Sequence, residues 1–311
     1  MAFKRDSWLV KGVLIIAVAA FVAVPILFAF NGRTSSRGAN APTPTAQTAA
    51  DEKTKLQGTI DGYQAVLERE PDNRTALEGI IDAKIKLGDL AGSVEPLERL
   101  AELNPDTPEY SILLAQTKQQ LDDLEGAAQV YRRVLTQKPG NLPALEGLVA
   151  LLVGQDRTEA AVGLLQDTLN TADQTNELAP GSVDKLSVKL LLGQVFIEQE
   201  KYDEAVKIYD EAIADAKVAS PTQPDFRPTL AKGLVLQEQG DETAAKALFD
   251  EALAMSPTQY KDGVQKLIRE KTAPAAAAEG AKSENKVPTG SNQSGSQSGN
   301  ETDGSTAPPA E

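Results

Sequence analysis

The side chains that could carry proton chemistry in this chain are carboxylates, and several are adjacent, such as Asp122-Asp123 and Asp203-Glu204. Paired carboxylates can act as general acid and base, or bind hard cations through oxygen. Both pairs fall where a helical pattern begins. An anion there meets free backbone N–H groups and the positive end of the helix dipole, so a structural role outweighs a chemical one. The 311 residues include no His and no Cys. Their absence removes the commonest general base and metal ligand, thiolate nucleophiles, thiolate metal sites and disulfides. No phosphate loop, Gly-x-Gly-x-x-Gly, Gly-x-Ser-x-Gly, calcium loop or zinc spacing occurs. The expectation is a chain that is not an enzyme and takes no cofactor or metal.

Charge is unevenly placed. Residues 1–50 carry a net +4, residues 51–272 a net −15, and residues 273–311 a net −3. An acidic body argues against nucleic acid, because phosphate binding needs clustered Lys and Arg. It permits a basic partner.

Three regions follow along the chain. Residues 1–11 form a short basic N-terminus. Residues 12–30 are 19 positions without a charge and nearly all apolar, just long enough to span a bilayer as one helix. Trp8 sits where an interfacial anchor would lie. A cleaved signal peptide has a shorter apolar run and a small-x-small site, and 28–31 offer none, so a transmembrane signal anchor is expected. Lys4, Arg5 and Lys11 precede the run, whereas Arg33 and Arg37 follow it. The positive-inside rule then puts the N-terminus in the cytoplasm and the body across the membrane. Residues 31–50, rich in Thr, Ala, Ser and Pro, read as a flexible linker, and 273–311 as a disordered polar tail.

The body, 51–272, has helical spacing throughout, and its turns recur. Pro71, Pro105 and Pro139 are 34 residues apart, and Ala-Leu-Glu-Gly at 76–79 returns at 144–147. The clearest unit, LLLGQVFIEQEKYDEAVKIYDEAI at 190–213, places Gly193 and Phe196 in a first helix. Its second helix holds Tyr202, Ala205, Tyr209 and Ala212. The following unit repeats the plan with Gly233, Ala245, Phe249 and Ala252. This pattern resembles the tetratricopeptide repeat (TPR) family, whose 34-residue helix–turn–helix units stack because none can bury its apolar face alone. The resemblance implies an all-α fold, a right-handed TPR superhelix preceded by the single transmembrane helix. Five units are expected at 74–107, 108–141, 142–175, 186–219 and 226–259. A cap helix at 54–70 precedes them and a polar cap helix at 259–271 follows. Insertions near 176–185 and 220–225 break the period. Pro96, inside one second helix, should kink it. Tyr63, Tyr131, Tyr209 and Phe249 are expected to pack in the core.

In this family the first helices line a concave groove that binds protein. The register places Glu78, Asp82, Glu109, Ile112, Gln116, Glu146, Ala150, Val153, Leu190, Gln194, Ile197, Leu230 and Leu234 there. The groove would run from acidic to apolar, suiting a basic or amphipathic segment. One subfamily grips anionic chaperone C-termini with Lys, Arg and Asn. The matching places here hold Glu78, Asp82, Glu109, Leu113, Pro143 and Glu146, so that carboxylate clamp is absent and its charge reversed. The expected function is a membrane-anchored scaffold. Its plan resembles cyanobacterial and plastid TPR proteins that assist photosystem or pigment-enzyme assembly. The alternative is an envelope assembly or chaperone-like factor for translocated clients.

Overall fold

A computed structural model of the protein describes residues 46–272. Among the described residues there are twelve helices and no strand. A leading helix, α1 (Ala46–Leu67), precedes five helix pairs. These are α2 (Arg74–Lys86) with α3 (Leu90–Leu103), α4 (Pro108–Gln120) with α5 (Leu124–Gln137), and α6 (Leu142–Gly154) with α7 (Thr158–Leu178). Then come α8 (Lys185–Glu198) with α9 (Tyr202–Ala219), and α10 (Arg227–Gln239) with α11 (Glu242–Met255). A last helix, α12 (Thr258–Thr272), follows. Of the described residues, those up to Ile268 belong to one compact unit and those from Arg269 to a second.

Short polar side chains cap about half of the helices. Asn73, Asp89, Asp123, Asn141 and Asp241 each accept a hydrogen bond from the backbone N–H three residues on, at 2.9–3.0 Å. Such a cap satisfies an amide that has no partner within the helix. The turn inside every pair is built alike. Gly88, Asp122, Asp156, Glu200 and Gly240 all take a left-handed conformation, with φ between 58° and 87°. The next residue then donates its N–H to the carbonyl five positions back. Examples are Asp89 to Lys84 and Asp123 to Lys118, both at 2.9 Å. This is the Schellman arrangement that ends a helix with its carbonyls bonded. The Asp122-Asp123 pair is therefore a turn residue followed by a helix cap.

Each helix from α1 to α10 packs on the next, and the first helices also touch one another, α4 on α6, α6 on α8 and α8 on α10. Close approach depends on small side chains. Ser93, Ala127, Ala161, Ala205 and Ala245, one per second helix, are each 0% exposed. Aromatic rings fill the space beside them. A Cβ added at Gly79, Gly147 or Gly193 would fall inside contact distance of the Tyr63, Tyr131 or Tyr209 ring, respectively. One at Gly233 would stand 2.8 Å from Phe249.

Several boundaries differ from the sequence expectation. The leading helix begins at Ala46 and not at 54, so it takes up the last residues of the expected linker. Its early residues are mostly good helix formers, and nothing there breaks the helix. Helix α7 continues through the start of the first insertion to Leu178. Helix α3 is unbroken through Pro96, which lies in its second turn while Ser93, Leu97 and Leu100 hold the buried face. Among the described residues no helix is long and apolar enough to cross a membrane. The expected spanning helix 12–30 lies outside the described residues, as do 1–11, 31–45 and the tail 273–311.

Candidate functional site: the face formed by the first helices

The face begins at α2. Glu78 Oε1 accepts hydrogen bonds from Arg74 Nε at 2.8 Å and from the Tyr110 hydroxyl of α4 at 2.6 Å. The Arg74 guanidinium also lies 5.4 Å from the centre of the Tyr110 ring. Glu78 is thus occupied by its own chain and ties α2 to α4. One turn on, Asp82 pairs with Lys86 Nζ at 2.6 Å, both half-exposed, a contact worth little in water. Glu109 is exposed in the first turn of α4, where the helix dipole favours its charge.

Glu146 differs from these. It is half-buried on α6 and has no hydrogen bond or ion pair among the described residues. Burial pushes its carboxyl up to about 7. A carboxylate withdrawn from water without a partner resists ionisation, which is the cause of the rise. Around it on the same face, Gln116 and Val153 are half-buried and Ala150 is exposed.

The apolar end departs from expectation. Ile112, Leu190, Gln194, Ile197, Leu230 and Leu234 were expected along an open groove. The structure buries all six. Helix α8 packs against α6, α7, α9 and α10, and this leaves almost none of its circumference to solvent. These residues hold neighbouring pairs together, because a single pair cannot bury its own apolar stripe. The accessible part of the face is therefore the stretch of α2, α4 and α6 carrying Glu78, Asp82, Glu109, Gln116, Glu146, Ala150 and Val153.

Sequence reasoning placed Glu146 here but not its isolation. The partner of Glu78 across the pairs, Tyr110, lies 32 residues away in the chain. The nearer signal, Arg74 four residues before Glu78, was present as a helical ion-pair spacing.

Family models described as Tetratricopeptide repeat match residues 119–181, 80–142 and 190–260. Among curated proteins, the chain is 28% identical over 137 residues to Protein CTR9 homolog of Arabidopsis thaliana, spanning 44% of this chain and 12% of that protein. It is 29% identical over 157 residues to Cellulose synthase operon protein C of Pseudomonas fluorescens, spanning 50% and 12%. It is 24% identical over 224 residues to SLOW GREEN 1, chloroplastic, of Arabidopsis thaliana, spanning 72% and 68%. The chain thus spans only a small part of the first two relatives. Among solved structures, BtubC from P. vanneervenii aligns over 82% of this chain and all of its own, with 18% identity and a TM-score of 0.44. MamA aligns over 65% and 96%, with 19% identity and a TM-score of 0.39. With a 34-residue turn period, helix pairs stacked on small residues, and family models over more than half its length, the chain belongs to the tetratricopeptide repeat family.

Proposed function

We propose that the protein is a membrane-anchored scaffold that holds a basic or amphipathic segment of a partner protein on its first-helix face, and serves assembly of a membrane complex of the photosynthetic or pigment-synthesis type. The observation that carries the partner's chemistry is Glu146. Among the described residues its half-buried carboxylate has no cation partner, whereas Glu78 and Asp82 have theirs. A Lys or Arg from outside would restore the ionised form and gain a partly desolvated ion pair. The uncharged run at 12–30 supports the anchor, with the N-terminus in the cytoplasm and the repeats across the membrane. The match to SLOW GREEN 1, a protein that is chloroplastic by name, supports the photosynthetic setting. A second reading, an envelope assembly factor for translocated clients, draws support from bacterial relatives called cellulose synthase operon protein C.

Affinity capture from detergent-solubilised membranes tests the proposal. The full chain should recover thylakoid or pigment-synthesis proteins, and Glu146→Gln, which keeps the shape and removes the charge, should recover much less of them. Recovery of secretion or cell-wall machinery alone would overturn it in favour of the second reading. A reporter fused after Glu311 should be active only outside the cytoplasm, and cytoplasmic activity would overturn the orientation.

A further inference from the structure

The second helix of each pair starts at the turn inside the pair, so its length sets how far its tip stands out at the joint with the next pair. Helices α3, α5 and α11 have 14 residues each, whereas α7 has 21 and α9 has 18. At 1.5 Å per residue the two longer helices run on by about 10 and 6 Å. Their tips carry the two most exposed large apolar side chains among the described residues, Leu178 at 83% and Val218 at 82%, and no other exceeds 39%. Both tips belong to one edge of the stack. A Cβ added at Gly140, in the joint before α6, would collide with the Ser182 carbonyl of the first insertion. Val183 and Lys185, which follow it, line one cleft with Val218 and with Gln223 of the second insertion. Arg227 Nη1 donates to Ser187 Oγ at 3.4 Å across the same place.

Charge divides the two edges of the stack. The joints at 137–142, 177–185, 217–227 and 257–262 hold five cations and four carboxylates. The turns inside the pairs, at 120–125, 154–159, 199–204 and 239–244, hold two cations and ten carboxylates. Toward α2 and α4 the joint edge is acidic as well, with two cations and six carboxylates over 66–75 and 102–109. A nearly neutral edge with two projecting aliphatic side chains is therefore confined to the joints from α5 onward.

We propose that this edge lies on the surface of a lipid bilayer, with Leu178 and Val218 inserted at the boundary of its acyl chains. The inference rests on the membrane-anchored reading above and extends it from residues 12–30 to the repeats themselves. The tether fits. Residues 31–45, between the uncharged run and α1, span at most about 50 Å when extended. Helix α1 has 22 residues, a length of about 33 Å, and ends at the joint with α2. The tether is thus long enough for α1 to begin away from the bilayer while the joint edge faces it, and too short to carry the body out of reach. Tethering makes the contact intramolecular, so two side chains suffice where a free protein needs a larger apolar surface. A fluid bilayer accepts isolated apolar points. A protein partner needs a contiguous desolvated centre, and here the two tips are separated by the polar insertion residues Ser182, Ser220 and Gln223. A second copy is disfavoured further, because each body carries a net −15 over residues 51–272. The acidic turns on the opposite edge keep that edge away from anionic lipid.

The chain has no Cys, so one introduced thiol carries one spin label. The full chain is placed in phosphatidylcholine vesicles with the label at Leu178→Cys, at Val218→Cys or, as a control on the opposite edge, at Gln155→Cys. All three positions are exposed, so the fold should survive. Oxygen concentrates in lipid and a nickel chelate in water. The ratio of collisions with oxygen to collisions with the chelate should be at least about threefold higher at 178 and 218 than at 155. Leu178→Glu should return the 218 label to the aqueous value, while Glu146→Gln leaves it unchanged. Vesicles that carry the chain with all three labels in water would overturn the proposal and leave the anchor standing. A chain that does not float with the vesicles would overturn both. Labels that broaden one another as protein is added, without gaining oxygen contact, would put a second copy in place of the bilayer. A 218 label indifferent to Leu178→Glu would show that the tips share no contact, and would also overturn it.

Discussion

Glu146 is the residue at which chemistry and position disagree most. The unfolded chain would ionise it near pH 4.5, whereas burial moves its folded carboxyl up to about 7. The folded state therefore binds the proton more tightly. The stability associated with it is fully present below about pH 4.5 and is lost as pH rises through about 7. Glu146→Gln removes that loss. At pH 8 the variant should be more stable than the wild type by about 1–3 kcal/mol, after allowance for partial exposure, and the gap should close by pH 4. Chemical denaturation at both pH values checks this, and an equal difference at the two would refute it. The sequence announced a carboxylate at this place but not its solitude, which depends on what α6 fails to meet across the stack. The adjacent Asp122 and Asp123 were more legible. Asp123 caps α5, as its position at a helix start implied, and Lys118 Nζ reaches it at 3.4 Å.

At the scale of the element, the recurrence of Ala-Leu-Glu-Gly finds its reason in the glycines. Gly79 of α2 and Gly147 of α6 each face a tyrosine ring from the helix before, Tyr63 of α1 and Tyr131 of α5. In the later pairs the same contact is made within one pair, Tyr209 on Gly193 and Phe249 on Gly233. Replacing glycine by alanine inside a helix gains about 1 kcal/mol of propensity but costs about 1–3 kcal/mol where the core is already full. The ring's freedom decides which wins. Tyr131 is 1% exposed, and its hydroxyl donates to Gln119 Oε1 at 3.2 Å, so it cannot swing aside. Burial also pushes that hydroxyl up to about 12. Tyr63 is only half-buried, on a helix where Ile60 is the one buried residue among those whose burial is described. Gly147→Ala should therefore lower the denaturation midpoint, by about 1–2 kcal/mol, whereas Gly79→Ala should be neutral or slightly stabilising. Equal effects would show that the rings do not set the helix approach. The turns were legible where Gly or Asp marked them, and less so at Glu200, whose left-handed conformation no side-chain preference foretells.

At the scale of the molecule, the helices and their order could be read from the 34-residue period, but their solvent boundary could not. Along a first helix, residues facing a neighbouring pair and residues facing an open groove recur with the same period, so Leu190 and Ile197 could not be sorted by spacing. Burial by α6 and α10 decides it, and that is a property of the stack. The same logic governs how damage should spread. The last pair, α10 and α11, shares a core with α12 in which Phe226, Leu230, Leu234 and Phe249 meet Val264 and Leu267. The larger core, which runs from Leu77 through the preceding pairs, reaches α10 only through Ala231 and Val235. Leu267 is 7% exposed, so Leu267→Ala should cost about 2–4 kcal/mol locally. In a stack held by nearest-neighbour contacts, that loss stays near its origin. Amide exchange in α10 and α11 should accelerate by about 30- to 1000-fold, as every 1.4 kcal/mol is a factor of ten, while α2 to α5 keep their rates. Acceleration of all helices together would show that the described residues open as one cooperative unit and that the two cores are energetically one.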